Sequence, residues 1–264
     1  MKLVLNAILF LFFFKKAQAV VCETKANEGD CSHRNISNLN QLKNWSDLNS
    51  SVYLNFFGNN FEQIPLLENF GHLQVLNLSS NKIKYIDEIK HIPITVLDLD
   101  KNLFTSMPWE LLFNHLTLDI VYMRHNPIHS VNYITFFCNA TYSEFCRNVI
   151  HIKELYLSHC RIHSLNLRVF DLFDNLKILD LSWNNIKTID PAVGILIEKK
   201  LPFRILHLHD NPLECSNNLL WLRRFYFKRR YKTPTICHDH SKGEFNHTFL
   251  ENFQHVEHRV QKKV

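Results

Sequence analysis

Apolar and polar positions along this chain follow one pattern, an alternation closed by an asparagine. In Leu176-Lys-Ile-Leu179-Asp-Leu181-Ser-Trp-Asn184-Asn-Ile186 and in Leu73-Gln-Val-Leu76-Asn-Leu78-Ser-Ser-Asn81-Lys-Ile83 it reads L-x-x-L-x-L-x-x-N-x-L. Ile94, Leu97, Leu99, Asn102 and Phe104 repeat it. Four further copies are anchored at Leu54/Phe56/Asn59/Phe61, Val121/Met123/Asn126/Ile128, Leu155/Leu157/Cys160/Ile162 and Leu206/Leu208/Asn211/Leu213, which makes seven. The anchors Leu54, Leu76, Leu97, Val121, Leu155, Leu179 and Leu206 are separated by 22, 21, 24, 34, 24 and 27 residues. Each L-x-L alternation predicts a short strand with one buried face, and a single unit cannot bury that face alone, so successive units must stack. The asparagine falls where the chain leaves the strand. Its amide carries donors and an acceptor, so a column of them can satisfy the backbone groups exposed at each corner. Cys160 is the one substitution in that column, placed where a buried thiol can act as a weak donor.

With these motifs the chain resembles the extracellular leucine-rich repeat proteins with cysteine-capped ends, over almost all of its length. The resemblance implies an α/β repeat solenoid, a leucine-rich repeat horseshoe with a parallel concave β-sheet and a mostly irregular or short-helical convex side. The stretch Asn211-Pro-Leu213-Glu-Cys215-Ser-Asn-Asn-Leu-Leu-Trp221-Leu222, ending at Cys237, looks like the C-terminal cap of that family. It departs in having Asn217 where the family has a second cysteine, with no cysteine after Cys237, so one bridge of two is absent as a pair. The N-terminal cap is likewise reduced.

The organisation expected is a signal peptide over residues 1–19, an N-terminal cysteine cap over 20–50, seven repeats over 51–213 with an insertion near 132–147, and a C-terminal cysteine cap with a polar tail over 214–264. The apolar run from Leu3 to Phe14 is too short to cross a bilayer and is followed by Ala17-Gln-Ala19, a small-x-small cleavage site. Beyond Cys237 the tail is polar and carries neither a spanning stretch nor a lipid-anchor signal. Secretion to the extracellular space is the localisation these signals predict. Sequons at Asn35, Asn44, Asn49, Asn77, Asn139 and Asn246 agree with it and predict a glycoprotein. Seven cysteines sort by neighbourhood into Cys22 with Cys31, Cys138 with Cys146 and Cys215 with Cys237, leaving Cys160 alone. The insertion also holds Tyr133, Phe136, Phe137, Tyr142 and Phe145, which reads first as a loop kept ordered by its own disulfide and second as a contact site.

In the pattern the leucines point inward, so the positions between and after them are expected on the concave side. The position between the last two leucines gives Asn55, Asn77, Asp98, Tyr122, Tyr156, Asp180 and His207. The next gives Phe57, Ser79, Asp100, Arg124, Ser158, Ser182 and His209, and the third gives Gly58, Ser80, Lys101, His125, His159, Trp183 and Asp210. Corresponding residues of adjacent coils sit at about 5 Å, the spacing of paired strands. Tyr122, Arg124, His125, Tyr156, His159 and Trp183 therefore make one continuous patch flanked by Asp98, Asp100 and Asp180, with His207 and His209 beyond it. Tyr, Trp and Arg are the residue types that carry interface energy. The patch is the expected partner-binding surface, against the plainer reading that these rings cover the edges of the core. Its histidines lack a completing carboxylate or thiolate at ligand spacing, so no metal or other cofactor is expected.

The chain carries 30 Lys and Arg against 25 Asp and Glu. Residues 220–264 hold 10 basic and 4 acidic residues, so the basic excess lies at the C-terminal end. Arg223, Arg224, Lys228, Arg229, Arg230 and Lys232 are interleaved there with Phe225, Tyr226, Phe227 and Tyr231. In a secreted chain that points to sulfated glycosaminoglycan in preference to nucleic acid, or else to a solvated cap helix with its rings turned inward. No phosphate loop, nucleophile elbow, H-E-x-x-H or paired-cysteine zinc spacing is present, so no enzyme activity is expected. The expected function is extracellular recognition or adhesion through a protein partner bound on the concave face. Two alternatives stay open: an extracellular-matrix component binding collagen or glycosaminoglycan, and a truncated or shed receptor ectodomain.

Overall fold

A computed structural model describes residues 20–67, 69–86, 89, 92–131, 150–165, 169, 172–194, 204–214, 219–228, 236–239 and 246–249. Seven three-residue strands stand at the seven predicted anchors: β3 (Tyr53–Asn55), β4 (Val75–Asn77), β5 (Val96–Asp98), β6 (Ile120–Tyr122), β8 (Glu154–Tyr156), β10 (Ile178–Asp180) and β11 (Ile205–His207). They pair in parallel, with the anchors in register from Leu54 through Leu76, Leu97, Val121, Leu155 and Leu179 to Leu206. Each strand buries its middle residue and leaves the two flanking ones half-buried, as one-sided packing requires. The structure thus has the parallel sheet of a repeat solenoid. The opposite side is mostly irregular, with short helices α1 (Trp45–Leu48) and α2 (Trp109–Asn114) and a two-residue parallel pair, β7 (Ser130–Val131) with β9 (Ser164–Leu165).

The asparagine column stitches the coils. Asn81 donates to the carbonyls of Leu78 in its own coil and Phe56 in the preceding one, both at 3.0 Å, while its Oδ1 accepts from Phe61 N–H at 3.0 Å. Asn102, Asn126, Asn184 and Asn211 repeat this triad of contacts. Asn59 makes it with the N-terminal cap, donating to Cys31 O and accepting from Ile36 N–H. At Cys160 the thiol reaches Met123 O at 3.4 Å, but it offers nothing to Ile128 N–H. That amide bonds Asn126 O at 2.8 Å instead, the same solution that Leu213 finds with Asn211 O where the column ends. Burial pushes the Cys160 thiol up to about 11, so it packs as a neutral donor and not as a nucleophile.

Both ends of the sheet are closed. At the first, β1 (Glu23–Lys25) and β2 (Glu28–Asp30) form an antiparallel hairpin whose second strand pairs in parallel with β3. This strand escapes the leucine pattern because Gly29 holds the anchor position, where a Cβ would press on Leu48 and Leu54. Cys22 and Cys31 are disulfide-bonded across the hairpin. At the other end, α3 (Leu220–Lys228) buries Trp221, Leu222 and Phe225, and the Tyr226 hydroxyl donates to Leu206 O of the last strand at 3.1 Å. Covering an edge strand in this way blocks its unpaired backbone from other chains. Gly194 permits the cap, since a Cβ there would overlap the Trp221 ring. A second hairpin, β12 (Ile236–Asp239) with β13 (Asn246–Phe249), lies where only a polar tail is expected from composition. Among the described residues no helix is long and apolar enough to cross a membrane.

Candidate interaction face

The coils leave their strands through two devices, the first in four of the seven and the second in all of them. First, the residue after the anchor caps the turn: Asn55, Asn77, Asp98 and Asp180 each accept, through Oδ1, the backbone N–H two residues on. Ser79 and Ser182 add hydroxyl bonds of 2.6 Å to the same oxygens. Second, the residue before the ladder asparagine adopts a left-handed backbone. Gly58, Ser80, Lys101, His125, His159, Trp183 and Asp210 all lie at φ between 53° and 67°. Glycine suits that conformation, and at Gly58 a Cβ would also meet His33 Nδ1 at 2.5 Å. A ring at such a position costs roughly 1–2 kcal/mol of backbone strain.

Two rows of stacked side chains result. Tyr122 and Tyr156 lie at 4.8 Å between ring centroids with planes 19° apart. Arg124 lies over both, at 5.0 and 5.8 Å. Its guanidinium is held from below by Asp100: Nε and Nη2 both reach Oδ2 at 2.7 Å, while Oδ1 accepts the Arg124 N–H at 2.6 Å. The Tyr156 hydroxyl donates to Glu154 at 2.9 Å. Burial, reinforced by that bond and by the Glu154 charge, pushes the phenol well above its usual range. The second row runs along the left-handed column, His125 on His159 at 4.4 Å and 10°, then His159 on Trp183 at 5.1 Å and 12°. Burial and the neighbouring His159 hold His125 below the ordinary histidine range. His207 and His209 meet edge to face at 5.5 Å, and burial likewise lowers His207.

Two family models, both described as leucine rich repeat, match residues 150–196 and 72–92. The chain carries leucine-rich repeats. Among solved structures it is similar to human 5T4, the Wnt-activated inhibitory factor 1 or trophoblast glycoprotein, at 20% identity and a TM-score of 0.57, over 80% of this chain and 78% of that one. No curated protein matches it in sequence.

The repeat geometry corrects part of the sequence reading. Ser79, Asp100, Ser158 and Ser182 are buried and not presented to solvent, whereas Phe57, Arg124 and His209 at the same position are half-buried; at Ser79, Asp100 and Ser182 the chain turns under the capping residue two positions before. Asp100 is therefore a support for Arg124 and not a contact residue. Asp98 and Asp180 are half-buried and each commits one oxygen to its own turn. Burial raises both Asp98 and Asp100 above the usual carboxylate value. Tyr122, Arg124, Tyr156, His125, His159 and Trp183 do come together as one patch, and Trp183 is 51% exposed.

The sequence reading also omits a column. The residue before each anchor, namely Tyr53, Val75, Val96, Ile120, Glu154, Ile178 and Ile205, shares the outer face with Tyr122 and Tyr156 and is half-buried. The β-branched residue just ahead of five of the seven anchors was the available signal, since alternation places it opposite the core. Of the basic run, Arg224 is exposed on α3, while Arg229, Arg230 and Lys232 lie outside the described residues. So do the expected signal peptide, Asn139, Cys138, Cys146, Cys215 and the aromatic residues around them. Cys237 is buried and disulfide-bonded. Of the sequons, Asn35 is exposed, whereas the Asn44 amide exchanges hydrogen bonds with the Cys22 backbone and Asn77 holds its own turn.

Proposed function

We propose that this leucine-rich repeat chain is a secreted glycoprotein that binds a protein partner through the concave face, with Tyr122, Arg124, Tyr156, His159 and Trp183 as the principal contacts. The observation that carries this reading is the pinning of Arg124 by Asp100 beneath a stacked tyrosine pair. A hot spot assembled before the partner arrives loses little side-chain entropy on binding, which is how a small patch reaches useful affinity. Backbone cost supports the same reading. The left-handed turn accepts glycine at Gly58, yet the central coils place His125, His159 and Trp183 there against local preference. Such a conflict between local propensity and fold marks functional positions.

Capture of biotinylated extracellular proteins by the intact chain and by a Tyr156→Ala/Trp183→Ala variant tests the proposal. Specific partners should be lost from the variant while its unfolding midpoint stays within a few degrees of the parent. Equal capture by both proteins would remove the concave patch as the binding surface.

A further inference from the structure

The histidine and tryptophan rings form a shelf with unequal ends. It begins after Lys101, whose charge acts on His125, and passes through His125 and His159 to Trp183. At the first end the chain supplies its own cation. At the other end His159 covers one face of the half-exposed indole, and the next coil follows on the side of the sheet away from the His159 coil. That coil places Asp210 in the matching position of the same left-handed column, tied to Trp183 by the bond from Trp183 N–H to His209 O at 3.1 Å. The register of β10 on β11 pairs Asp180 with His207, each three residues before the two, so their backbones follow one another at about the 5 Å spacing of a ladder. The Asp210 side chain is 46% exposed, and its ion-pair contact among the described residues is His209 at the long distance of 3.9 Å.

An aromatic face beside a solvent-accessible carboxylate is the recognition chemistry of a cation: the ring quadrupole attracts the charge and the carboxylate accepts its N–H groups. A guanidinium suits both at once, being planar, weakly hydrated and able to stack while it hydrogen-bonds at its edge. We infer that Trp183 and Asp210 form a clamp for an arginine side chain of the protein partner. The inference rests on the concave-face reading and gives it a chemical specificity: the partner presents arginine at the C-terminal end of the aromatic shelf. Arg124 does not compete for this place, because Asp100 and the two tyrosines hold it in the other row.

Ligand-observed saturation-transfer NMR on the full chain tests the clamp with N-acetyl-arginine amide as probe and N-acetyl-citrulline amide as its neutral isostere. Arginine should bind saturably in the millimolar range and citrulline at least five-fold more weakly. Trp183→Asn, which the left-handed backbone tolerates, and Asp210→Asn should each weaken arginine at least five-fold, and Trp183→Phe should retain most of the binding. Equal binding of citrulline, or undiminished binding of arginine to either asparagine variant, overturns the clamp. Partner capture by Tyr156→Ala, run in parallel, keeps the two readings apart. Arginine binding as expected with capture intact upholds the clamp and discards the wider patch; citrulline equal to arginine with capture lost does the reverse.

Discussion

The break in the asparagine column at Cys160 sets up a reciprocal experiment. Asn184 shows what a complete rung supplies: donation to Leu157 O at 2.8 Å and Leu181 O at 3.1 Å, and acceptance from Ile162 N–H at 3.0 Å, all buried. With its further contact to Ser182 O at 3.1 Å counted, removing it as Asn184→Ala leaves four backbone groups without that partner. At roughly 1–3 kcal/mol for each orphaned group, reduced because Ile162 N–H can turn to a local carbonyl as Ile128 does, the loss should come to about 3–4 kcal/mol. Asn184→Cys keeps a weak donor and should cost about 2 kcal/mol. In the other direction, Cys160→Asn exchanges a thiol contact of 3.4 Å for a full amide donor and returns an acceptor to Ile128 N–H. A gain of about 1 kcal/mol is expected, at the scale of one net hydrogen bond.

Equilibrium urea unfolding followed by far-ultraviolet circular dichroism measures all three, with midpoints compared at equal m-values. Repeat arrays can lose cooperativity, so hydrogen exchange at Ile128 and Ile162 supplies a local readout. The order of stability should be Cys160→Asn, parent, Asn184→Cys, Asn184→Ala. A destabilised Cys160→Asn, or an Asn184→Ala that loses less than about 1 kcal/mol, would refute the view that the ladder is held by these shared bonds.

Other substitutions separate core, turn and surface. Leu179→Ala, at a 2% exposed anchor, should cost roughly 2–5 kcal/mol in the same urea assay. Ser182→Ala removes a buried 2.6 Å bond to Asp180 and should cost about 1 kcal/mol, where an exposed serine would cost close to nothing. Lys101→Gly relieves the left-handed backbone at φ 53° without removing a stack, and should raise stability by about 0.5–1 kcal/mol, read as a higher Tm. His115 is buried at the end of α2, and burial lowers its affinity for protons. Unfolded chains therefore bind a proton that the native state refuses: the stability linked to His115 is whole above about pH 6.5 and is lost as pH falls through that value and the lower native one. A Tm profile between pH 7.5 and 5 should flatten in His115→Gln.

The solenoid was legible in the sequence because its stability is periodic. Leu54 to Leu206 recur in register since each strand buries the same face against the coils stacked beside it. Strand β2 was hidden because close packing against Leu48 forces Gly29 into the anchor position, which erases the leucine that marks a strand. The candidate patch was legible only in part. Strand alternation predicts one exposed and one buried side, but it says nothing about the turn, where Ser79, Asp100 and Ser182 pass under the preceding capping side chain. Asp100 consequently read as a surface acid, although its work is to hold a surface arginine.

The left-handed column joins stability to recognition. Each coil needs this conformation to bring the next asparagine beneath the sheet, so the strain belongs to the architecture and glycine would minimise it. His125, His159 and Trp183 recover part of the difference by stacking, since an aromatic pair contributes about 0.5–1.5 kcal/mol. The row can therefore be kept only as a row: removing His159 deprives both neighbours of their contact while leaving their backbone strain in place. His159→Ala should consequently destabilise the chain by more than either His125→Ala or Trp183→Ala, although its side chain is no larger than the one and smaller than the other. Equal Tm losses for the three variants would show that the rings are independent ornaments on the turns and not one shelf.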